Sequence, residues 1–182
     1  ENKHVIFTGN GYSAEWPVEA AKRGLPNLNT TPKAVAQWNS DKNKQLFESL
    51  KIYSAEETEA RQEVMYENYI SSLCCEVETM VQMTEKDILP ACAQDLDRFK
   101  GMDKLAGARA KTYESIVDQL EKLKAVYLAK PTSLADEATY LCDKVKPEMV
   151  ALRAAVDKAE SIMHSKVYPY PTYETMIYSH HF

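Results

Sequence analysis

SAEETEARQEVMYENYISSLCCEVETMVQMTEKDILPACAQDLDRF, residues 54–99, is the stretch that decides the fold. Ser54 followed by Glu57 has the form of a capping box, in which each side chain satisfies a backbone N–H that the first helical turn leaves unpaired. Apolar residues then recur at steps of mostly three and four, as Tyr66, Ile70, Leu73, Val77, Met80, Ile88 and Cys92. That spacing holds one side of a helix against a partner. Met65, Tyr69, Val81 and Leu89 form a second seam beside the first, which predicts contact with two or more helices. Pro90 has no N–H to give and its ring crowds the preceding turn, so the long helix should kink near Ile88 or break there.

Further along, Leu105, Ile116, Leu120, Leu123 and Tyr127 repeat the helical step between a turn at Gly101 and a stop at Pro131. Ser133 opens a third helix, carried by Leu134, Ala138, Leu141, Val145, Met149, Leu152, Val156 and Met163 to about His164, with a second kink expected at Pro147. Short connections between long helices force antiparallel neighbours, which predicts an up-down-up bundle. The run VYPYPT from Val167 holds two prolines and should be extended until Thr172 caps a final turn through Tyr178.

Before the long helix, residues 4–8 read as a short strand, Gly9-Asn10-Gly11 as a turn, and Ser13 as the cap of a helix through Lys22 closed by Gly24. Thr31-Pro32 should start a small helix to about Trp38, and Ser40 another to about Leu50. These should cover one end of the bundle. The expected architecture is therefore mainly α: a bundle of three long, partly kinked helices over residues 54–166, a strand, turn and small capping helices over 1–53, and an extended aromatic and proline-rich tail over 167–182, all in one structural domain.

The totals agree with that class. The chain has 182 residues and only 5 glycines, enough length for one real core and too little glycine for a many-stranded sandwich. The net charge of −5 is spread along helix faces, so the basic stripe of a nucleic-acid binder is missing. No apolar run approaches the roughly 20 residues needed to span a bilayer, and no signal-peptide core precedes the first helix. This reads as a cytoplasmic chain that binds neither nucleic acid nor membrane. It starts at Glu1 rather than methionine, which suggests a piece of something larger.

Chemical motifs are few. Gly9, Gly11 and Ala14 fit a G-x-G-x-x-A dinucleotide turn, but no second parallel strand and acidic residue follow, so we read a turn whose glycines permit positive φ. Cys74, Cys75, Cys92 and Cys142 show no C-x-x-C spacing. Cys74 and Cys92 on one helix would sit about 27 Å apart, beyond disulfide reach. All four are expected to be free thiols, chiefly buried small apolar groups. A carboxylate di-metal site needs Glu-x-x-His on two helices, whereas His164 has Glu160 four residues before it and the other histidines, His4, His180 and His181, lie near the termini. No catalytic, cofactor-binding or metal-ligating residue is assigned. Trp16, Trp38, Tyr168, Tyr170, Tyr173 and Tyr178 stand out as aromatic anchors for an interface. From residues alone, the chain is a helical interaction module or scaffold for a protein partner.

Three segments carry a resemblance. VIFTGNGYSAEWPVEAAKRGLPNLNTTPKAV, residues 5–35, resembles the segment that follows the catalytic domain in type III glutamine synthetases; RQEVMYENYI with the later ILPA, from Arg61 to Ala91, is similar to their long C-terminal helix; and YPYPTYETMIY, residues 168–178, is similar to their aromatic end. The resemblance implies the C-terminal, non-catalytic helical domain of an enzyme that joins ammonia to glutamate with ATP and Mg2+ or Mn2+, nucleotide and metal being held by an upstream catalytic domain. It also implies double-ringed homo-oligomers, with that catalytic domain and neighbouring subunits as partners. Pro17 after Trp16 and the Cys74-Cys75 pair depart from the family's pattern.

Overall fold

The computed structural model describes residues 6–178. The organising helix is α4, Ala55–Met83, and the capping box at its start is formed: Ser54 Oγ accepts from the Glu57 N–H at 3.2 Å, and the Ser54 N–H donates to the Glu57 carboxylate at 2.8 Å. Of the two outcomes expected at Pro90, a full break does not occur, and the helix is irregular where the kink was expected, up to Ile88. One π-helical turn, Thr84–Ile88, leads directly into α5, Leu89–Asp97, with Pro90 in its first turn. In a regular α-helix the proline ring would press on the Lys86 carbonyl and leave it without a donor; a turn one residue wider moves that carbonyl aside. Thr84 is buried in this turn, and its hydroxyl donates to the Met80 carbonyl at 2.7 Å.

The same device recurs in the third helix. There α8, Leu134–Tyr140, passes through a π turn, Leu141–Val145, into α9, Lys146–Glu160, with Pro147 again in the first α turn. The middle helix is shorter than expected. A four-residue α6, Asp103–Ala106, ends at Gly107, whose φ of 57° reverses the chain, and α7 runs only from Arg109 to Leu128. Leu105, assigned to the apolar face of one long helix, is consequently 63% exposed. α9 likewise stops at Glu160, short of His164.

Antiparallel packing follows from which residues meet. Glu78 and Glu85 of the first helix receive Tyr127 and Lys124 of α7, while Asp95 receives Arg109 and Tyr113. Tyr140 at the start of the third helix donates to the Val126 carbonyl, and Arg109 reaches the Ile162 carbonyl beyond its end. One buried cluster unites the stripes, including Leu73, Val77, Ile116, Leu123, Leu141 and Leu152. A second, smaller one holds Val35, Tyr66 and Ala138 where α2, Thr31–Trp38, crosses the bundle end.

The flanking segments differ more from expectation. Among the described residues there is no strand: residues 6–8 have no regular structure, and His4 and Val5, like His180 and His181, lie outside the described residues. Ser13 does not cap α1, Glu15–Lys22; its hydroxyl donates to the Asn10 carbonyl instead. Gly24 does close that helix. With φ 69° it allows Gly24 N–H to reach the Ala21 carbonyl and Leu25 N–H the Ala20 carbonyl, a Schellman closure. α3, Asp41–Ser49, ends the same way, but with Lys51 at φ 55° in the left-handed position. The tail is not extended: residues 165–170 form turns and bends that press Val167, Tyr168 and Tyr170 onto the core. Thr172 then caps α10, Tyr173–Tyr178, its Oγ1 accepting from the Thr175 N–H at 3.2 Å.

Candidate functional site

The tail turns back because its aromatic residues find a surface between the outer helices. α4 with its π turn forms one wall of a cleft of about 650 Å3, α9 forms the other, and the tail lies over one end. Met80, Met83, Met149, Leu152 and Val156 make the lining mainly apolar, and Glu76, Arg153 and Glu160 are its charged members. Tyr170 donates to Asp87 in the π turn at 2.7 Å, tying the tail to the widened part of the helix. Tyr168 meets Tyr170 edge-on, ring centres 6.2 Å apart, and has Glu160 as a hydrogen-bonding neighbour. Burial first, and then these carboxylates, push both phenols up to about 12.

The six aromatic anchors are not gathered in one place. Trp16 is half-buried against Phe7, ring centres 4.7 Å apart, on the N-terminal segment. Trp38 is used inside the chain, packed on Phe47 at 5.3 Å and Tyr53 at 6.5 Å, with Arg61 stacked over Tyr53 at 4.3 Å. Its indole N–H is hidden from solvent and reaches no acceptor among the described residues. Tyr168 and Tyr170 are half-buried at the cleft, Tyr173 begins α10, and Tyr178 at its end is 60% exposed. The N-terminal segment leaves much apolar surface outside: Tyr12 is 101% exposed, Val18 71% and Ile6 59%, and of the residues in α1 only Ala20 is buried.

Two polar clusters went unassigned at the sequence level. Asp95, 1% exposed, accepts from Tyr113 at 2.6 Å and from Arg109 at 3.0 Å, and Arg109 also donates to the Ile162 carbonyl at 2.7 Å. The available signal was phase: Asp95 stands three residues after Cys92, on the apolar stripe. Nearer the other end, Lys130 pairs with Glu137, lies over the Tyr127 ring and reaches Cys74 Sγ at 3.8 Å. The hydrogen bond that Lys130 donates to the Glu137 carboxylate holds its ammonium above the usual value. Both clusters join helices; neither lines the cleft.

The cysteines also divide. All four are free thiols, but only Cys92 is buried; Cys74 and Cys142 are half-buried, and Cys75 is exposed at the cleft wall, against the expectation of buried small groups. In the G-x-G turn neither Gly9 nor Gly11 takes the positive φ expected of it; the Phe7 ring sits over Gly9, so close that a Cβ there would lie 2.5 Å from it, whereas Gly11 is open. Among the described residues no group of His, Cys, Asp and Glu is placed to hold a metal ion, and no helix is long and apolar enough to cross a membrane.

The family profile described as the glutamine synthetase C-terminal domain matches residues 1–101. The chain is 33% identical over 98% of its length to a glutamine synthetase of Butyrivibrio fibrisolvens, covering 28% of that protein. It is 29% identical over 98% of its length to a type-3 glutamine synthetase of Dictyostelium discoideum and 22% identical over 96% to a glutamine synthetase of Bacteroides fragilis, covering 27% of each. The chain thus spans little more than a quarter of the length of these relatives.

Proposed function

The chain belongs to the glutamine synthetase C-terminal domain family, and from that starting point we propose that it is the non-catalytic helical part of a glutamine synthetase, which ligates ammonia to L-glutamate at the expense of ATP. In this reading the domain comprises the N-terminal segment 1–53, the bundle 54–166 and the tail 167–182, and its work is assembly or stability of the enzyme. ATP and Mg2+ or Mn2+ belong to the catalytic domain, and the chain alone makes no glutamine. The observation that carries the reading is length: relatives aligned over 96–98% of this chain have nearly three quarters of their own residues elsewhere, room for a complete active site.

The surface supports the same division. Exposed Tyr12 and Val18, beside half-buried Trp16, offer the catalytic domain an apolar docking face, and Tyr178 with Ile177, 65% exposed, offers another to neighbouring subunits of a homo-oligomeric double ring. Trp38, Tyr168 and Tyr170 act by shaping the domain, since much of their area is already spent within it. Tyr173, at the start of α10, is kept in this reading as an interface anchor.

Deleting residues 167–182 from the complete enzyme tests this. The oligomer should weaken, or its melting temperature fall, while ATP affinity in surviving assemblies stays nearly unchanged. Intact rings with nucleotide binding lost would overturn the division between chemistry and assembly.

A further inference from the structure

The α4–α9 cleft differs from the rest of the surface in length, lining and charge. Its walls run from Cys75 to Ile88 and from Met149 to Glu160, about 16 to 20 Å at 1.5 Å per residue, or three helical turns. Three methionines in those walls, Met80, Met83 and Met149, are unbranched and adapt to the shape of what they meet. The charges at the rim are unbalanced. Among the lining residues Glu76 and Glu160 face one cation, Arg153, whose guanidinium also donates to Asp157 at 2.5 Å.

The chain itself shows what kind of object lies there. α10 is a short helix that brings Met176 to the cleft, yet Met176 remains 49% exposed and about 650 Å3 is left open. Residues 167–178 contain one acid, Glu174, and no lysine or arginine. The resident segment therefore answers the apolar lining and offers the acids two phenols, Tyr170 on Asp87 and Tyr168 beside Glu160, but no cation. The geometry points to a docking site for a basic amphipathic helix, whose apolar stripe enters between α4 and α9, whose lysines or arginines meet Glu76 and Glu160, and which displaces α10. Helix-in-groove recognition of this kind anchors residues at steps of three, four and seven, which a cleft of three turns accommodates. This inference is independent of the assembly role proposed above, because it needs only the 182-residue chain.

The test is fluorescence anisotropy with a labelled synthetic helix of leucine and lysine at helical spacing, and with its glutamate-for-lysine counterpart. Five forms of the chain are compared, the first four being the unaltered chain, the chain ending at Thr172, Glu76→Lys with Glu160→Gln at the cleft, and Glu59→Lys with Glu114→Gln, the same charge change on exposed positions elsewhere. Circular dichroism checks that each is folded, and Met83→Gln at the 37% exposed rim is the fifth form, a cleft variant that leaves the charge unchanged. The lysine helix should bind the unaltered chain, several-fold more tightly once α10 is gone, at least tenfold more weakly to the double cleft variant than to the matched-charge control, and more weakly to Met83→Gln than to the unaltered chain. Equal binding to cleft and control variants would reduce the effect to adhesion on an acidic surface and overturn the proposal. So would preference for the glutamate helix, absence of binding, or self-association of the chain that α10 removal abolishes, which would make a second copy the occupant.

Discussion

Asp95 concentrates more consequence than any other side chain in the bundle, because it is a carboxylate 1% exposed with one charged and one phenolic donor. Arg109 carries the connection on to the Ile162 carbonyl and stacks over Phe99 at 4.3 Å, so one residue fastens the end of the first helix, the start of the second and the end of the third. Removing one member of a buried pair strands the other: Asp95→Ala should cost about 3 kcal/mol in urea unfolding. Arg153–Asp157 is shorter, at 2.5 Å, but its side chains are 61% and 50% exposed, so solvent screens it and Asp157→Ala should change stability by less than about 0.5 kcal/mol. Burial, followed by the Asp95 charge, also pushes the Cys92 thiol up to about 11. Lys51 presents the opposite case. Its φ of 55° is demanded by the closure of α3, in which the Ile52 N–H bonds the Phe47 carbonyl, and an L side chain there is strained. Lys51→Gly should therefore stabilise the chain by about 0.5–1 kcal/mol in the same measurement.

At the scale of the element, the two π turns are the features that make long helices compatible with internal prolines. Each is five residues long and ends two residues before its proline, at Pro90 and at Pro147. The i−5 bond from the Leu89 N–H to the Thr84 carbonyl, and from the Lys146 N–H to the Leu141 carbonyl, carries the backbone through the widened turn. Since the turn absorbs the mismatch, Pro90→Ala should shift stability by less than about 1 kcal/mol. Glu121→Pro, in the uninterrupted α7, should cost about 3 kcal/mol or more. Chemical denaturation of both variants decides whether the widening relieves the proline. The turns also hold tertiary partners, Lys124 on Glu85 and Tyr170 on Asp87, so their location is set by packing as well as by proline.

Across the whole molecule, one buried and four half-buried phenols set the response to alkali. Burial first, then the Cys142 thiol beside Tyr69, the Asp95 carboxylate beside Tyr113 and the Cys74 thiol and Glu78 carboxylate beside Tyr127, raise these three well above the usual phenol range; burial and carboxylates raise Tyr168 and Tyr170 to about 12. The unfolded chain releases these protons near pH 10, while the folded chain keeps them, so from about pH 10 to about pH 12 unfolding is increasingly favoured. The melting temperature should fall steeply over that window, with tyrosinate absorbance rising together with loss of helix. Tyrosinate appearing fully near pH 10 with helix intact would contradict the burial of these rings.

What the sequence by itself determined about this protein is whatever is enforced within about two helical turns. The Ser54–Glu57 box, the stripe from Tyr66 to Cys92, the stripe from Ala138 to Met163 and the stop at Pro131 rest on neighbours three or four residues away, and these make it a mainly helical chain with three long apolar faces. Tertiary structure decided the rest. A glycine inside a helical pattern costs only about 1 kcal/mol, so Gly107 could have continued the helix, and packing chose the reversal that freed Leu105. Two prolines spoke for an extended tail, but the core took Val167 and the cleft between α4 and α9 offered Tyr168 and Tyr170 an apolar surface, and the chain turned to take it. Asp95 stood in phase with the apolar stripe, yet its partners come 14 and 18 residues later on another helix, and only the antiparallel crossing puts a guanidinium and a phenol beside it.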